Sequence, residues 1–458
     1  MKQLRIVETL VWLVLAVAVR AWAGGNYTLY LNPPNGIDDT PFLQGALDTC
    51  VAYHPTGCTI QLTAGTYITK PLVANNFHGV LRGQGMDVTS IEALTPLPEL
   101  SDLVTFIDGD ITISDMSFKV TAYQPVVPCD PNSDFCGLLA LVLVTGHTSA
   151  NASFQRVAFE GGPGPDWGFG AYNLYAGLLF EGYDVGNPSL KGTFQMFGCR
   201  SRNSSENVRV YQVADSQITI GGSPENGNVV ENDEIGIYVA NTARSSVEVS
   251  YNRASACGAF ACLLMDQSPD YAHDPSQFLV EHNTVTATGD FASGIYVDDY
   301  TQVLWGTEPS KFAVSHNDVT LENSAEGLPY EGVGTYGTAG ATISNNRVSG
   351  AATFGIDATG AAQCLILGNN VQQFNADFAA IGLLADYYPD PTSPTLTTNC
   401  TVVGGSKDSF YDEGVDNKIV GVNNMQGNPP GPAIQEAMKR KHEMMKDVRR
   451  MMMHGMKR

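Results

Sequence analysis

Three aspartates close two similar β-prone runs, Asp266 after ACLLM and Asp298 and Asp299 after GIYV. If those runs are successive turns of one winding, residues in register lie ~5 Å apart, and residues two turns away ~10 Å. Carboxyls that close cannot both ionise freely, so one pKa rises or a cation binds between them. Retaining glycosidases hold their two carboxyls ~5 Å apart and inverting ones ~6.5–9.5 Å. Such a pair can therefore act as general acid and as base or nucleophile, while three carboxylates can hold Ca²⁺. Asp266, Asp298 and Asp299 are the candidate catalytic residues, and Glu181, Asp266 and Asp298 the candidate Ca²⁺ ligands. Aligning the apolar runs predicts one column of Glu181, Asp215 or a neighbour, Asn241, Asp266, Asp298 and Asp386. Turn preference by itself also places Asp at strand ends and accounts for any single member.

Aromatic residues crowd the segments beside these acids. A sugar ring packs its C–H groups on an aromatic face, and Tyr and Trp add a polar handle for hydroxyls. Trp167, Tyr183, Tyr271, Tyr300, Trp305 and Tyr387, with His273, are the candidate substrate-binding residues. Self-packing of loop aromatics against the coil competes with that role at each position. His282 and His316 occupy equivalent repeat positions, where a structural role is the simpler expectation. Lys311 and Arg253 are among the few cations nearby, and pairing with the many acids explains either one.

Positioning such residues requires a repeat. Short β-prone runs end in Asn: VEVSYN, FLVEHN, FAVSHN, ATISNN and LILGNN, reaching Asn252, Asn283, Asn317, Asn346 and Asn370. Each is followed by an apolar strand such as GIYVAN, GIYVDD, FGIDAT or GLLADY, with a period of roughly 23–38 residues. Stacked coils would set the Asn residues over one another to exchange amide hydrogen bonds. The inserted segments 161–177, 266–277, 299–310 and 386–395 are rich in Pro, Asp and aromatics. Three of them leave the period just after the GIYV-type strand, so they should build one wall. Upstream, GIDDTPFLQGALDTC reads as a helix with Thr40 as N-cap, Pro41 in the first turn, and Phe42, Leu43, Ala46 and Leu47 on one face.

The run D-D-T-x-x-L-Q-x-A-L, then CTIQLTAGTY, then GVLRGQGM, resembles the opening of the secreted pectate-lyase-like superfamily. The likeness is close over about residues 35–92 and one of repeat texture to about residue 425. It implies an all-β, single-stranded right-handed parallel β-helix of nine or ten coils, capped by the first helix, and a polysaccharide partner. Gly57-Cys58 stands where the family often has Gly-Gly, with Cys58 expected to bridge to Cys50. The catalytic sets of named subfamilies do not transfer. Of the polygalacturonase pattern only the paired Asp298-Asp299 has a counterpart, and His273-Asp274-Pro275 holds the epimerase D-P-H residues in another order.

Composition bounds the rest. The 458 residues are 43% hydrophobic and 16% charged, ample for a core, with a formal charge of −22 that disfavours nucleic acid and anionic bilayers. A neutral glycan meets no such repulsion. Residues 1–23 read as a signal peptide, with Lys2 and Arg5, the apolar run TLVWLVLAVAV and an Ala21-Trp22-Ala23 cleavage site. A secreted protein with no membrane span after cleavage is expected. Nine cysteines suit an oxidising compartment, with local pairs Cys50/Cys58, Cys129/Cys136 and Cys257/Cys262, while Cys199, Cys364 and Cys400 have no evident mates. The β-helix domain is expected over 24–425 and a Pro/Gly linker over 426–432. The tail 433–458 reads as a helix with eight Lys/Arg against three acids and seven Met, suited to an acidic partner or the protein's own acidic surface. Three functions compete: a glycoside hydrolase, a Ca²⁺-dependent lyase or epimerase on a uronate polymer, and a non-catalytic glycan-binding or adhesion protein.

Overall fold

The computed structural model describes residues 27–55, 57–94, 101–121, 138–162, 174–182, 190–267, 274–289, 292–302, 306–323, 327–371, 375–386, 394–404, 409–421 and 439–440. In one coil, Gln277–Glu281 runs along the second of three faces, Thr284–Thr288 along the third and Ser293–Asp299 along the first. The next coil begins at Lys311–Ser315, paired in parallel with Gln277–Glu281. The same step repeats from Tyr27–Tyr30 to Lys418–Val420, every strand pairing being parallel. The chain is thus a parallel β-helix, and crossovers between parallel strands of L-residues wind right-handed. Along the first face the register runs Leu72, Val104, Val142, Leu178, Val208, Ile237, Leu263, Ile295, Val333, Ile356, Ile381, Phe410. These twelve rungs, where nine or ten were expected, span ~50 Å. Among the described residues no helix is long and apolar enough to cross a membrane.

The core is the column of inward residues. In each strand alternate side chains point into the coil, and those positions hold Val, Ile, Leu and Phe at almost zero exposure. Each contributes about 1.5–3 kcal/mol by leaving water. The helix Thr40–Tyr53 closes one end, burying Leu43, Ala46, Leu47 and Cys50 over Ile60, Leu72 and Leu81. Thr40 does not cap it as expected. Its hydroxyl lies against the Asp38 carboxylate at 2.5 Å and accepts from the Lys70 amide at 2.9 Å. Asp39 stands at the cap position, accepting from the amides of Asn35 and Ile68, which ties the helix start to the coil.

The corner between the second and third faces shows why the repeat ends in Asn. Tyr251, His282, His316 and Asn345 adopt φ of 58°, 56°, 56° and 54°, a left-handed bend. The next residue in each coil joins a buried ladder of Asn252, Asn283, Asn317 and Asn346, each side-chain oxygen accepting from the backbone and side-chain amides of the Asn one coil earlier. Asn228 extends the ladder at one end and Asn369, not Asn370, at the other. Gly368 supplies the left-handed bend there (φ 64°), which moves the ladder position to the residue after it.

Disulfides join Cys50 to Cys58 and Cys257 to Cys262, as expected. A third joins Cys364 to Cys400, two residues left without mates by the sequence. They are 36 residues apart in the chain but adjacent in space, because Leu365 pairs with Thr401 on the next coil. Cys199 is free and buried, and burial pushes its thiol up to about 12. Cys129 and Cys136 lie outside the described residues. Closing a loop of that length removes unfolded-chain entropy worth about 3–4 kcal/mol. A Cys364→Ala/Cys400→Ala variant should lose that much in urea unfolding, and a loss under ~1 kcal/mol would mean the bond constrains nothing.

Candidate functional site

The first face carries charge on its outer side. From Ser293–Asp299, Ile295 and Val297 enter the core, whereas Tyr296 packs outside with Tyr211, Tyr238, Leu264, Tyr300 and Tyr336. Asp298 shares that outer side. It registers with Asp266 on the coil before and Tyr336 on the coil after, while Asp299 registers with Gln267. Asp266 and Asp298 are thus brought together on neighbouring coils, as expected, at 3% and 0% exposure. The Tyr238 hydroxyl donates to Asp266 at 3.1 Å.

Two further acids, not singled out in the sequence, lie on the next coils of the same face. Glu331 registers between Ser293 and Phe354, and Asp357 registers with Gly334. Both are 0% exposed. The Tyr336 hydroxyl lies 2.7 Å from Glu331 Oε2 and 3.1 Å from Asp357 Oδ2. Ser293 donates to the other Glu331 oxygen at 2.7 Å, and Thr359 to the other Asp357 oxygen at 2.9 Å. Gly334 leaves the room, since a Cβ there would meet the Glu331 carboxyl carbon at 2.4 Å. Tyr296 stacks on Tyr336 at 4.5 Å and fixes the phenol.

Burial first, and then the charge of Glu331, pushes the Asp357 carboxyl well above the usual carboxylate range. A phenol has one proton to donate. The Glu331 side chain also hydrogen-bonds Asp357 directly, so the raised Asp357 carboxyl, Glu331 and the Tyr336 hydroxyl form one hydrogen-bonded group. The result is two buried carboxyls in hydrogen-bond contact with each other and with one phenol.

The other end of the row is a buried ion pair. Glu206 and Arg209 lie 3.6 Å apart at 4% and 3% side-chain exposure, and Tyr175 bridges them, donating to Glu206 at 3.0 Å and accepting from Arg209 at 2.9 Å. The guanidinium sits over the Tyr211 and Tyr238 rings at 4.4 and 5.4 Å. Burial pushes Glu206 upward despite that partner, and the surrounding acids and tyrosines keep Arg209 protonated.

Several expectations need correction. Asp299 turns away from the outer face, accepting from the amide and hydroxyl of Thr301 at 2.9 and 2.5 Å and from the amide of Ser310 at 2.7 Å. It clasps the base of the 299–310 segment and cannot face a substrate. Glu181 registers with Tyr211, and Tyr211 with Ala240, so two coils separate it from Asp266. At ~14 Å it cannot share an ion with Asp266 and Asp298. Asp215 and Asn241 are off that column. Asp215 is ion-paired with Arg244 and Lys191, which hold its carboxyl well below the usual range. Asn241 donates to the Tyr211 hydroxyl at 2.6 Å from one position further on. Asp386 lies two positions past Leu384, the residue in register with Thr359. Tyr300 is 1% exposed, its ring laid over Gly337, so it packs and does not present a face. Trp167, Tyr183, Tyr271, His273, Trp305 and Tyr387 lie outside the described residues.

The raised carboxyls set a pH dependence. Asp357 and the buried Asp233 are both raised, chiefly by burial, so the folded state binds protons the unfolded chain has released. Their stabilisation is complete below the unfolded value near ~4 and is lost as pH climbs through the raised folded values. The protein should be more stable near pH 5 than near pH 9, and Asp357→Asn should flatten part of that slope in urea titrations at several pH values.

No protein-family model matches the chain, and no curated protein matches it. Among solved structures it is similar to the A-module of mannuronan C-5 epimerase AlgE4 of Azotobacter vinelandii, at 14% identity over 86% of this chain and 97% of that one, TM-score 0.43. The periplasmic alginate epimerase AlgG gives 12% identity, 81% and 78% coverage and a TM-score of 0.44. The Dettilon tailspike protein gives 14%, 76% and 68%, and 0.42. Likenesses this distant assign no chemistry to the chain.

Proposed function

We propose that the protein is a polysaccharide-cleaving enzyme, a glycoside hydrolase working through the acid row of the first face. The carrying observation is the Glu331–Tyr336–Asp357 arrangement: two buried carboxyls that share a phenol, one of them pushed well above the usual carboxylate range by burial and by the other's charge. Protonated Asp357 is the general acid for the departing oxygen, and Glu331 is the base or nucleophile. Asp266 and Asp298, with the tyrosines between them, extend the row along the coil axis, the direction a bound glycan would follow. A packed apolar face would be at least as stable as buried carboxyls here, so their recurrence on successive coils favours a use in chemistry. All of these acids are covered, so a glycan must displace what covers them before reaction.

The second reading is elimination on a uronate polymer, favoured by Arg209. It is buried, and its Nε and Nη2 have no partner among the described residues, so it could take a sugar carboxylate. A glycan panel separates the readings. New reducing ends without ultraviolet-absorbing products indicate hydrolysis, whereas absorbing unsaturated ends indicate elimination. Binding with neither product and with no change of uronate configuration across a broad panel leaves the adhesion reading, and either that result or epimerisation without cleavage overturns the proposal.

A further inference from the structure

Away from the first face, one cluster of metal-ligating side chains occurs among the described residues: Glu281, His282 and His316. The histidines hold the same corner position on successive coils, each at φ 56°. Their rings stack 5.0 Å apart at 20°, and both are exposed. Glu281 ends the strand just before His282 and is half-buried. The three ligand atoms lie within 4.8 Å of one another.

We propose that these residues form a surface site for Zn²⁺ or Cu²⁺ that clips two successive coils. Imidazole selects such ions, while Ca²⁺ and Mg²⁺ prefer oxygen ligands alone. With Zn–N bonds of ~2.0–2.1 Å, tetrahedral ligands stand roughly 3.3 Å apart. The approach needed is ~1.5 Å, within reach of side-chain torsions on exposed rings, and the backbone need not move. The corner itself does not call for His: Asn345 makes the same bend at φ 54° on the next coil. The charge of −22 enriches cations around the protein.

The same comparison supplies the control, because His→Asn keeps a residue suited to the bend. The parent is the full chain carrying His442→Asn and His454→Asn, which removes the tail imidazoles. Zn²⁺ is titrated against a chromophoric chelator in excess Ca²⁺, which occupies oxygen-only sites. The parent should bind one more equivalent than its His282→Asn/His316→Asn derivative, and Zn²⁺ should raise the Tm of the parent alone. Cu²⁺ electron paramagnetic resonance should show two imidazole nitrogens in the parent and one in either single variant. Equal stoichiometry in parent and double variant, or a copper spectrum indifferent to both histidines, overturns the site. Either result leaves the first-face reading untouched.

Discussion

Glu331→Gln is expected to lower glycan cleavage about 10²- to 10⁴-fold, the range for losing a positioned acid–base group. The amide keeps the shape of the carboxyl, its oxygen accepting from one of the Ser293 and Tyr336 hydroxyls and its NH2 donating to the other, so the fold should survive. What it cannot do is carry the negative charge that attacks or deprotonates. Asp357→Asn should fall by a similar factor because the amide cannot donate a proton to a departing oxygen, and it should lose least on substrates with good leaving groups. A factor of 10³ corresponds to ~4 kcal/mol of transition-state stabilisation. Asp299→Asn is the contrast. It weakens the hydrogen bonds to Thr301 and Ser310, so it should cost stability before it costs chemistry. The measurement is initial-rate reducing-end release beside a thermal melt for each variant. Full activity in Glu331→Gln would remove the pair from the mechanism.

Asn283→Ala should be the most damaging small change to the fold. The Asn283 side chain donates to Val249 O at 2.9 Å and to Asn317 Oδ1 at 3.0 Å, and accepts from Asn252 N and Nδ2 at 2.9 and 3.1 Å. Removing it strands a buried amide N–H and a buried carbonyl, each costing ~1–3 kcal/mol. A loss of about 4 kcal/mol is expected. Coils couple mainly to their neighbours, so the weak rung should also split the urea transition into two steps. A cooperative transition displaced by less than ~1 kcal/mol would mean that the ladder is ornamental.

The winding was legible in the sequence because its signals are local. Each strand alternates, each corner carries its own Asn, and the D-D-T-x-x-L-Q run marks the cap helix. Register was legible where the strands look alike, which is why Asp266 met Asp298 as expected. It failed where similar strands end at different points: Asn241 falls one position past Ala240, the residue in register with Asp266, and Cys364 meets Cys400 only through the pairing of Leu365 with Thr401. Reading strand ends as turns drew attention to Asp299, which proved to be a loop clasp. Glu331 and Asp357 were missed because neither stands at a strand exit: Glu331 opens the strand EGVGTY, and Asp357 sits within FGIDAT. A lone acid within an otherwise apolar strand was the available signal, because an ionisable residue is rarely buried without a partner. Which of the two would hold the proton depends on Tyr336 and on burial, and neither is visible before the coils are stacked.

The most direct test is infrared spectroscopy of the carboxyl groups near neutral pH, comparing wild type with Asp357→Asn. The wild-type minus variant difference should contain the carbonyl stretch of a protonated carboxylic acid, shifted by deuterium exchange. A difference showing only ionised carboxylate bands would contradict the shared-proton pair and the acid–base chemistry assigned to it.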